Sequence, residues 1–288
     1  MRPRIESEVS KGVWAALEER RARTGETLDH LVDTLLAESL ELDRHSLFQV
    51  STSNALVQGV FGGVITVKDL KRHGDFGLGT FTGLDGELVM VDGECFRATA
   101  GGVVGVAEDQ REVPFALVTR FETDIEETVD EESNLDEVTA KIDSMRPSEN
   151  VFMGVRIDGE FTGLSMRAAC KALPGESLVE ATSHQSEFDV ADQVGSIVGF
   201  WSPPYSRSIG VPGYHFHFIS DDRKTGGHVL GLQAHRCRIG LHTESDLHLA
   251  LPETTDFLTA DLSGDHEREL AVVETERRHI HSVEAGRE

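Results

Sequence analysis

No apolar run in the sequence approaches the ~18 residues a membrane helix needs, so membrane-spanning helices are not expected. No apolar secretory core follows Met1-Arg2-Pro3-Arg4-Ile5-Glu6, and a soluble cytoplasmic protein is the expectation. Cysteine is scarce. Cys95, Cys170 and Cys237 are far apart, odd in number and form no CxxC. That excludes a disulfide framework and leaves cysteine-based metal binding without support. Lysine is scarce too, with 6 against 21 arginines. Acids outnumber bases 51 to 27, for a net charge of −24. The excess carboxylate keeps the surface hydrated and makes nucleic acid a poor partner for the chain as a whole. Few lysines among many acids fit either a proteome adapted to high salt or an Arg-rich genome. What the chain does have is length: 288 residues at 39% hydrophobic content are enough for two cores.

Residues 3–41 read as a separate unit. Residues 4–9 are short and extended, and Ser10 is suited to cap a helix. Val13, Trp14, Leu17 and Arg20/Arg21 follow at helical spacing, and Thr24-Gly25 breaks the pattern. A second helix starts at Thr27, with Leu28, Leu31, Val32, Leu35, Leu36 and Leu40 as its apolar stripe. This strand, helix, glycine turn and helix resemble the ribbon-helix-helix family, which dimerises by pairing its strands. The resemblance turns Arg4, Glu6 and Glu8 outward and Ile5, Ser7 and Val9 inward. Outward glutamates repel phosphate, and residues 1–44 carry seven bases against ten acids. The segment is therefore expected to be the oligomerisation arm of a homodimer rather than a DNA reader. Its plainer reading is an amphipathic helical hairpin packed on the main body. The expected division is this extension at 1–44, an α+β domain at 45–276 with room for two sheet subdomains, and a charged tail at 277–288.

In the main body, residues 51–57 and 68–73 read as short helices, the second closed by Gly74. Asp85-Gly86 and Asp92-Gly93 are turn signals on either side of an apolar strand. Gly77 and Gly79 superficially suggest a nucleotide loop. The third glycine and the following helix are missing, so that reading fails. Residues 113–121 read as a strand, the acidic run 122–132 as a solvated loop, and 135–145 as a helix ended by Pro147. Strands are expected at 150–157 and 160–167 about an Asp158-Gly159 turn, then at 187–190, 195–201, 232–241, 247–252 and 269–274. Short strands with frequent turns and few helices argue for an α+β fold built mainly on antiparallel or mixed sheet, not a doubly wound one.

Three histidines stand out: His215 and His217 in Gly213-Tyr214-His215-Phe216-His217-Phe218, and His228 beyond a turn-rich run. On a strand, the alternation puts both imidazoles on one face and both phenyl rings on the other. A hairpin pairing 220 with 225 also pairs His217 with His228, bringing those side chains to ~5 Å. Three imidazoles on one face, with a fourth position open, are the donor set of a catalytic zinc. Imidazole also suits Cu, Fe and Ni. The plain alternative is a set of polar residues on a solvated sheet face. The other histidines, His45 and His242 among them, read as surface or core residues. A cupin-like metal oxygenase or isomerase shares HxH, but Ser220 and Asp221 stand where its glutamate is found.

Several separated motifs make a more specific resemblance. Residues 198–205 (Val-Gly-Phe-Trp-Ser-Pro-Pro-Tyr), the 213–223 stretch, Gly226-Gly227-His228, the Gly74 to Phe81 run and Leu84-Asp85-Gly86-Glu87 together resemble the α-acetolactate decarboxylase family. The resemblance spans roughly 46–276. It implies decarboxylation of a small 2-hydroxy-3-oxo acid, 2-acetolactate, to acetoin and carbon dioxide. It also implies Zn2+ on His215, His217 and His228, active-site glutamates at Glu87 and Glu274, and an active-site arginine at Arg167. The surroundings of Arg167 depart from the family's usual context, which leaves Arg156 as the fallback. Thr80 is expected to line the substrate pocket. The implied chemistry suits these residues: a 3-oxo acid loses carbon dioxide when its ketone accepts the electron pair, which a Lewis acid promotes. An arginine can orient the carboxylate, and a carboxylic acid can deliver the proton. A third reading is a ligand-sensing regulator that binds DNA through residues 1–44.

Overall fold

The structure, a computed structural model, describes residues 6–39, 45–183, 185–264 and 269–270. It opens with two helices, α1 (Lys11–Thr24) and α2 (Leu28–Ser39). The Ser10 hydroxyl caps α1 by accepting from the Val13 amide at 3.3 Å. Gly25 ends the helix at φ 76°, where a β-carbon would be strained. The helix positions match the expectation, and α1 is little covered by the rest of the described residues. It buries no residue, and Val13 and Trp14 are about half exposed. In α2, Leu31 and Ala37 are buried. Of the strand expected at 4–9, the described part, residues 6–9, forms no ladder. Arg4 and Ile5 lie outside the described residues.

The main body is two large β-sheets that share an apolar layer, besides a two-stranded ladder of Ile65–Thr66 with Glu112–Val113. Into the first half fall β1 (Ser46–Val50), α3 (Ser53–Val57), β2 (Ile65–Thr66), α4 (Val67–Leu70), β3 (Phe76–Thr80), β4 (Glu87–Val91), β5 (Glu94–Ala98), β6 (Val104–Val106), β7 (Glu112–Val113) and β8 (Phe115–Thr119). The second half holds β9 (Ile125–Val129), β10 (Ser133–Asn134), α5 (Leu135–Met145), β11 (Phe152–Ala168), α6 (Leu178–Thr182), β12 (Ser186–Ser202), β13 (Gly213–Ser220) and β14 (Gly226–Glu244). Then β15 (Asp246–Ala250) returns to the first sheet, parallel to β1, and α7 (Thr255–Thr259) follows. The first sheet runs β15-β1-β8-β3-β4-β5-β6. In the second, pairing passes from β14 to β11, β12 and β13, and β13 closes back onto β14. The mixed, mainly antiparallel α+β class is as expected.

Local chemistry explains several elements. Asp92 and Gly93 both have positive φ, 52° and 78°, and form the tight turn joining β4 to β5. Helix α5 starts with a reciprocal capping box between Asn134 and Glu137, and its bounds are those expected.

Three expectations need correction. Asp158-Gly159 is not a turn. It lies inside the unbroken β11, flanked by β12 and β14. The Asp158 carboxylate accepts from Arg156, Ser196 and Arg238 side chains at 2.7–3.1 Å, so this acid sits in a ladder without going unsatisfied. Gly159 is needed because a β-carbon there would meet the Arg236 carbonyl oxygen at 2.3 Å. Likewise 187–190 and 195–201 are parts of one strand, β12, and 232–241 is the middle of β14. The acidic run is not all loop either. Ile125–Val129 pairs with β14 as an edge strand whose Glu126, Glu127 and Thr128 are exposed, which keeps the edge charged. Glu269 and Leu270 are helical, and the rest of the strand expected at 269–274 lies outside the described residues, as does the tail.

The layer between the sheets contains Leu78, Val89, Val91, Phe96 and Leu117 from the first and Val198, Phe200 and Ile219 from the second. On the outer face of the second sheet, Phe216, Phe218, Met153 and Ile239 meet Val138 and Ile142 of α5. Phe216 and Phe218 therefore face away from the inter-sheet layer. By strand alternation, His215 and His217 face into it.

Candidate active site

The histidine hairpin has the register expected. His217 pairs with His228 across β13 and β14. All three imidazoles are buried, with exposures of 8%, 1% and 3% for His215, His217 and His228, so the solvated-face alternative fails. Ring centroids lie 4.9–5.4 Å apart. The Nε2 atoms of His215 and His217 are 3.2 Å apart. Zinc–nitrogen bonds of ~2.0–2.1 Å in a tetrahedron put neighbouring nitrogens ~3.3 Å apart. The spacing fits a metal of that size.

The first sheet sets the orientation of these rings. His217 Nδ1 donates to the Leu88 carbonyl of β4 at 2.8 Å. A carbonyl can only accept, so the proton is on Nδ1 and the Nε2 lone pair points at His215. Burial, and then the nearby Arg167 charge, push the His215 pKa down to about 3. A neutral imidazole is the form a metal requires. Among the described residues, His215, His217 and His228 make one of two groups whose ligand atoms all lie within 4.8 Å of one another.

The other expected residues converge on the same pocket, with one outside the description. Glu87 is the first residue of β4 and is 8% exposed. Its Oε1 accepts from the Ala169 amide at 2.8 Å, and its Oε2 lies 3.6 Å from His217 Nε2. Arg167 is 4% exposed near the end of β11, directly across the ladder from His228. Thr80, paired with Glu87 across β3 and β4, donates its hydroxyl to the Gly86 carbonyl at 2.9 Å and lines the pocket. Arg156 is elsewhere: its guanidinium is held by Asp92 at 2.6 Å and Asp158 at 2.9 Å, so the fallback is set aside. Glu274 lies outside the described residues.

The sequence reading missed the pocket's apolar wall. Leu56, Leu84, Phe115, Leu178, Val211 and Leu270 line it together with the polar groups. Leu178 is on the short helix α6, which carries its own capping box between Ser177 and Glu180. That box was the available signal for α6; nothing local in the sequence says that the helix borders the site.

The arrangement is a buried polar cluster of three imidazoles, a carboxylate and a guanidinium against an apolar wall. Such a pocket suits a small anionic molecule with short alkyl groups. Comparison with known proteins agrees. The family model for alpha-acetolactate decarboxylase matches residues 47–264. The alpha-acetolactate decarboxylase of Methanosarcina mazei is 40% identical over 79% of this chain and 80% of that protein. That of Bacillus subtilis strain 168 is 36% identical over 76% of this chain and 86% of that protein. The crystal structure of the B. subtilis protein superposes with a TM-score of 0.78 at 34% identity, covering 80% of this chain and all of the other. These likenesses favour a carboxy-lyase over a cupin-like oxygenase or a DNA-binding regulator. The chain belongs to the alpha-acetolactate decarboxylase family.

Proposed function

We propose that His215, His217 and His228 hold a zinc ion and that Arg167, Glu87 and Glu274 carry out the decarboxylation of 2-acetolactate to acetoin around it. The observation that carries this reading is the 3.2 Å approach of two Nε2 atoms, one with its proton fixed on the far nitrogen by Leu88. Nε2 of His217 is an acceptor, and with the His215 proton on its Nδ1 a second lone pair meets the same point, so that a cation there would be held by both nitrogens. Held by these three histidines, zinc would supply Lewis-acid stabilisation of the charge that develops on the substrate's oxygens.

The remaining steps belong to the chain. Arg167 offers paired donors to the substrate carboxylate and holds the breaking carbon–carbon bond perpendicular to the carbonyl plane. With a buried charge and little water, that orientation is maintained without reorganisation. Glu87 has one oxygen anchored by the Ala169 amide, which leaves the other facing the pocket to hold or deliver a proton. Glu274 is the second carboxylate of this reading. Thr80 uses its proton on Gly86, so its oxygen is free to accept from a substrate hydroxyl. The apolar wall receives the substrate's methyl groups and excludes water.

The same reading takes the protein as a cytoplasmic homodimer joined through residues 1–44, with the catalytic domain at 45–276. Support for the arm is helix α1, which buries no residue and leaves Val13 and Trp14 about half exposed. A chain lacking residues 1–44 is expected to lose the dimer and keep its activity.

Metal analysis coupled to an acetoin assay tests the catalytic reading. His217→Ala is expected to lose the zinc of the histidine hairpin and turnover together. Zinc-loaded wild type that makes no acetoin from racemic acetolactate, in low or multimolar salt, would sink the proposal.

A further inference from the structure

Two histidines that look unremarkable in the sequence meet in the fold. His45 immediately precedes β1, and His242 lies near the end of β14. Their rings stack, with centroids 5.0 Å apart and planes at 14°. Asp124, just before β9, completes the group. Its Oδ2 lies 3.5 Å from His242 Nδ1 and 3.9 Å from His45 Nδ1. The His242 side chain is fully buried, that of Asp124 is 4% exposed and that of His45 is 11% exposed. The ligand atoms of these three residues all lie within 4.8 Å of one another.

We propose that His45, Asp124 and His242 form a second metal site that takes a divalent ion of the zinc class and has a structural role. Two imidazoles and a carboxylate are a donor set such ions accept. The outer partners fit as well. Each imidazole turns its other nitrogen to a carboxylate: His45 Nε2 is 3.3 Å from Asp33 Oδ2 on α2, and His242 Nε2 is 3.9 Å from Glu244 Oε1. Asp33 is within hydrogen-bond reach of His45 Nε2 and Glu244 stands farther from His242 Nε2; with Nε2 turned toward them, Nδ1 is the atom each ring offers to an ion. The Thr243 carbonyl accepts from His45 Nδ1 at 2.6 Å, so an ion bound at Nδ1 would replace that proton and shift it to Nε2, where Asp33 accepts it. A divalent ion also offsets the negative charge that Asp33, Asp124 and Glu244 gather in a largely dry region.

The backbone holds His45 at a cost. Its φ is 59°, in the left-handed region, and its carbonyl accepts from the Ser245 and Asp246 amides at 3.0 and 2.9 Å. Strained residues of this kind persist where the surroundings over-determine them. The site is separate from the histidine hairpin, since His242 is fourteen residues beyond His228 on β14. At ~3.3 Å per residue that is on the order of 45 Å along the strand. An ion here would fasten α2, through Asp33 and His45, to the second sheet.

Protons are the competing occupant. Burial lowers the proton affinity of His242, but Asp124 and Glu244 raise it and their effect prevails. Metal stoichiometry separates the two. Full-length protein loaded with zinc and freed of loose ions is expected to hold about two ions per chain. His242→Gln and His217→Ala should each hold about one, and the double variant none. Loss of an ion in His242→Gln alone, with His217→Ala unchanged, would support this site and count against the zinc reading of the hairpin. One ion in wild type that disappears only in His217→Ala would overturn the second site. If His242→Gln does not fold, Asp124→Asn takes its place. A second readout uses metal-free His217→Ala: added Co2+ should raise its Tm and give visible absorption, and no response overturns the proposal. Acetoin formation by metal-loaded His242→Gln is expected to stay within about twofold of wild type.

Discussion

Arg167 and His228 face each other across the β11–β14 ladder, so the guanidinium and one of the three clustered imidazoles are fixed by the same pair of strands. Substituting the arginine need not disturb the histidines, whose own anchors are the hairpin and Leu88. Arg167→Ala is expected to keep its zinc and lose ~10²–10³-fold in kcat, the scale of removing one oriented charged donor. Arg167→Lys should recover little, because a point charge cannot reproduce two parallel donors. Zinc content and acetoin rates measured on the same preparations decide this; zinc loss in the alanine variant would mean that the arginine builds the metal site.

Glu87→Gln provides a sharper separation of charge from structure. The glutamine oxygen can still accept from the Ala169 amide, so thermal stability should shift little. Turnover is expected to fall ~10²–10⁴-fold if the carboxyl group moves a proton. A variant that keeps near wild-type kcat would leave Glu274 as the acid and Glu87 as a prop for the 169 backbone.

Asp158 ties three strands together away from the pocket. Burial alone would raise its pKa, but the Ser196 hydroxyl and the Arg156 guanidinium, with Arg238, outweigh it and hold the carboxyl below its usual 3.8. A depressed carboxyl contributes stability above its unfolded pKa and loses it as pH falls through the folded value. Asp158→Asn should therefore cost ~1–3 kcal/mol at neutral pH, and the gap to wild type should narrow below pH 4. Denaturant melts at several pH values measure this, and a gap that does not change with pH would contradict the assignment.

Gly199 sits on β12 opposite Phe216, and a β-carbon there would come within 2.1 Å of that ring and 2.9 Å of the His215 carbonyl. Gly199→Ala is expected to push β13 outward, lower stability by ~1–3 kcal/mol and weaken metal retention against a chelator. Unchanged metal retention would show that the hairpin is held from the first sheet alone.

Much of the site could be read from short-range pattern. The alternation of His215, Phe216, His217 and Phe218 sets the face, and the short turn before His228 sets the register. Helix α5 was legible end to end because Asn134, Glu137 and Pro147 mark both of its limits. The long strands were not. An Asp-Gly pair is a turn only when its backbone is free to turn, and at 158–159 the two flanking strands remove that freedom. The pocket's apolar wall and the pairing of His45 with His242 depend on contacts between segments far apart in the chain, for which no local period exists. The family motifs supplied what spacing could not, namely which carboxylate and which arginine share the pocket.

The bond from His217 to Leu88 runs from one sheet to the other. Neither sheet alone can hold that imidazole in its working tautomer, however well its own ladder has formed. On the proposed metal reading, the right geometry for binding therefore requires both halves to be docked. Metal offered to a half-assembled chain would meet imidazoles still free to rotate, so the order of addition during refolding should govern how much active protein is recovered.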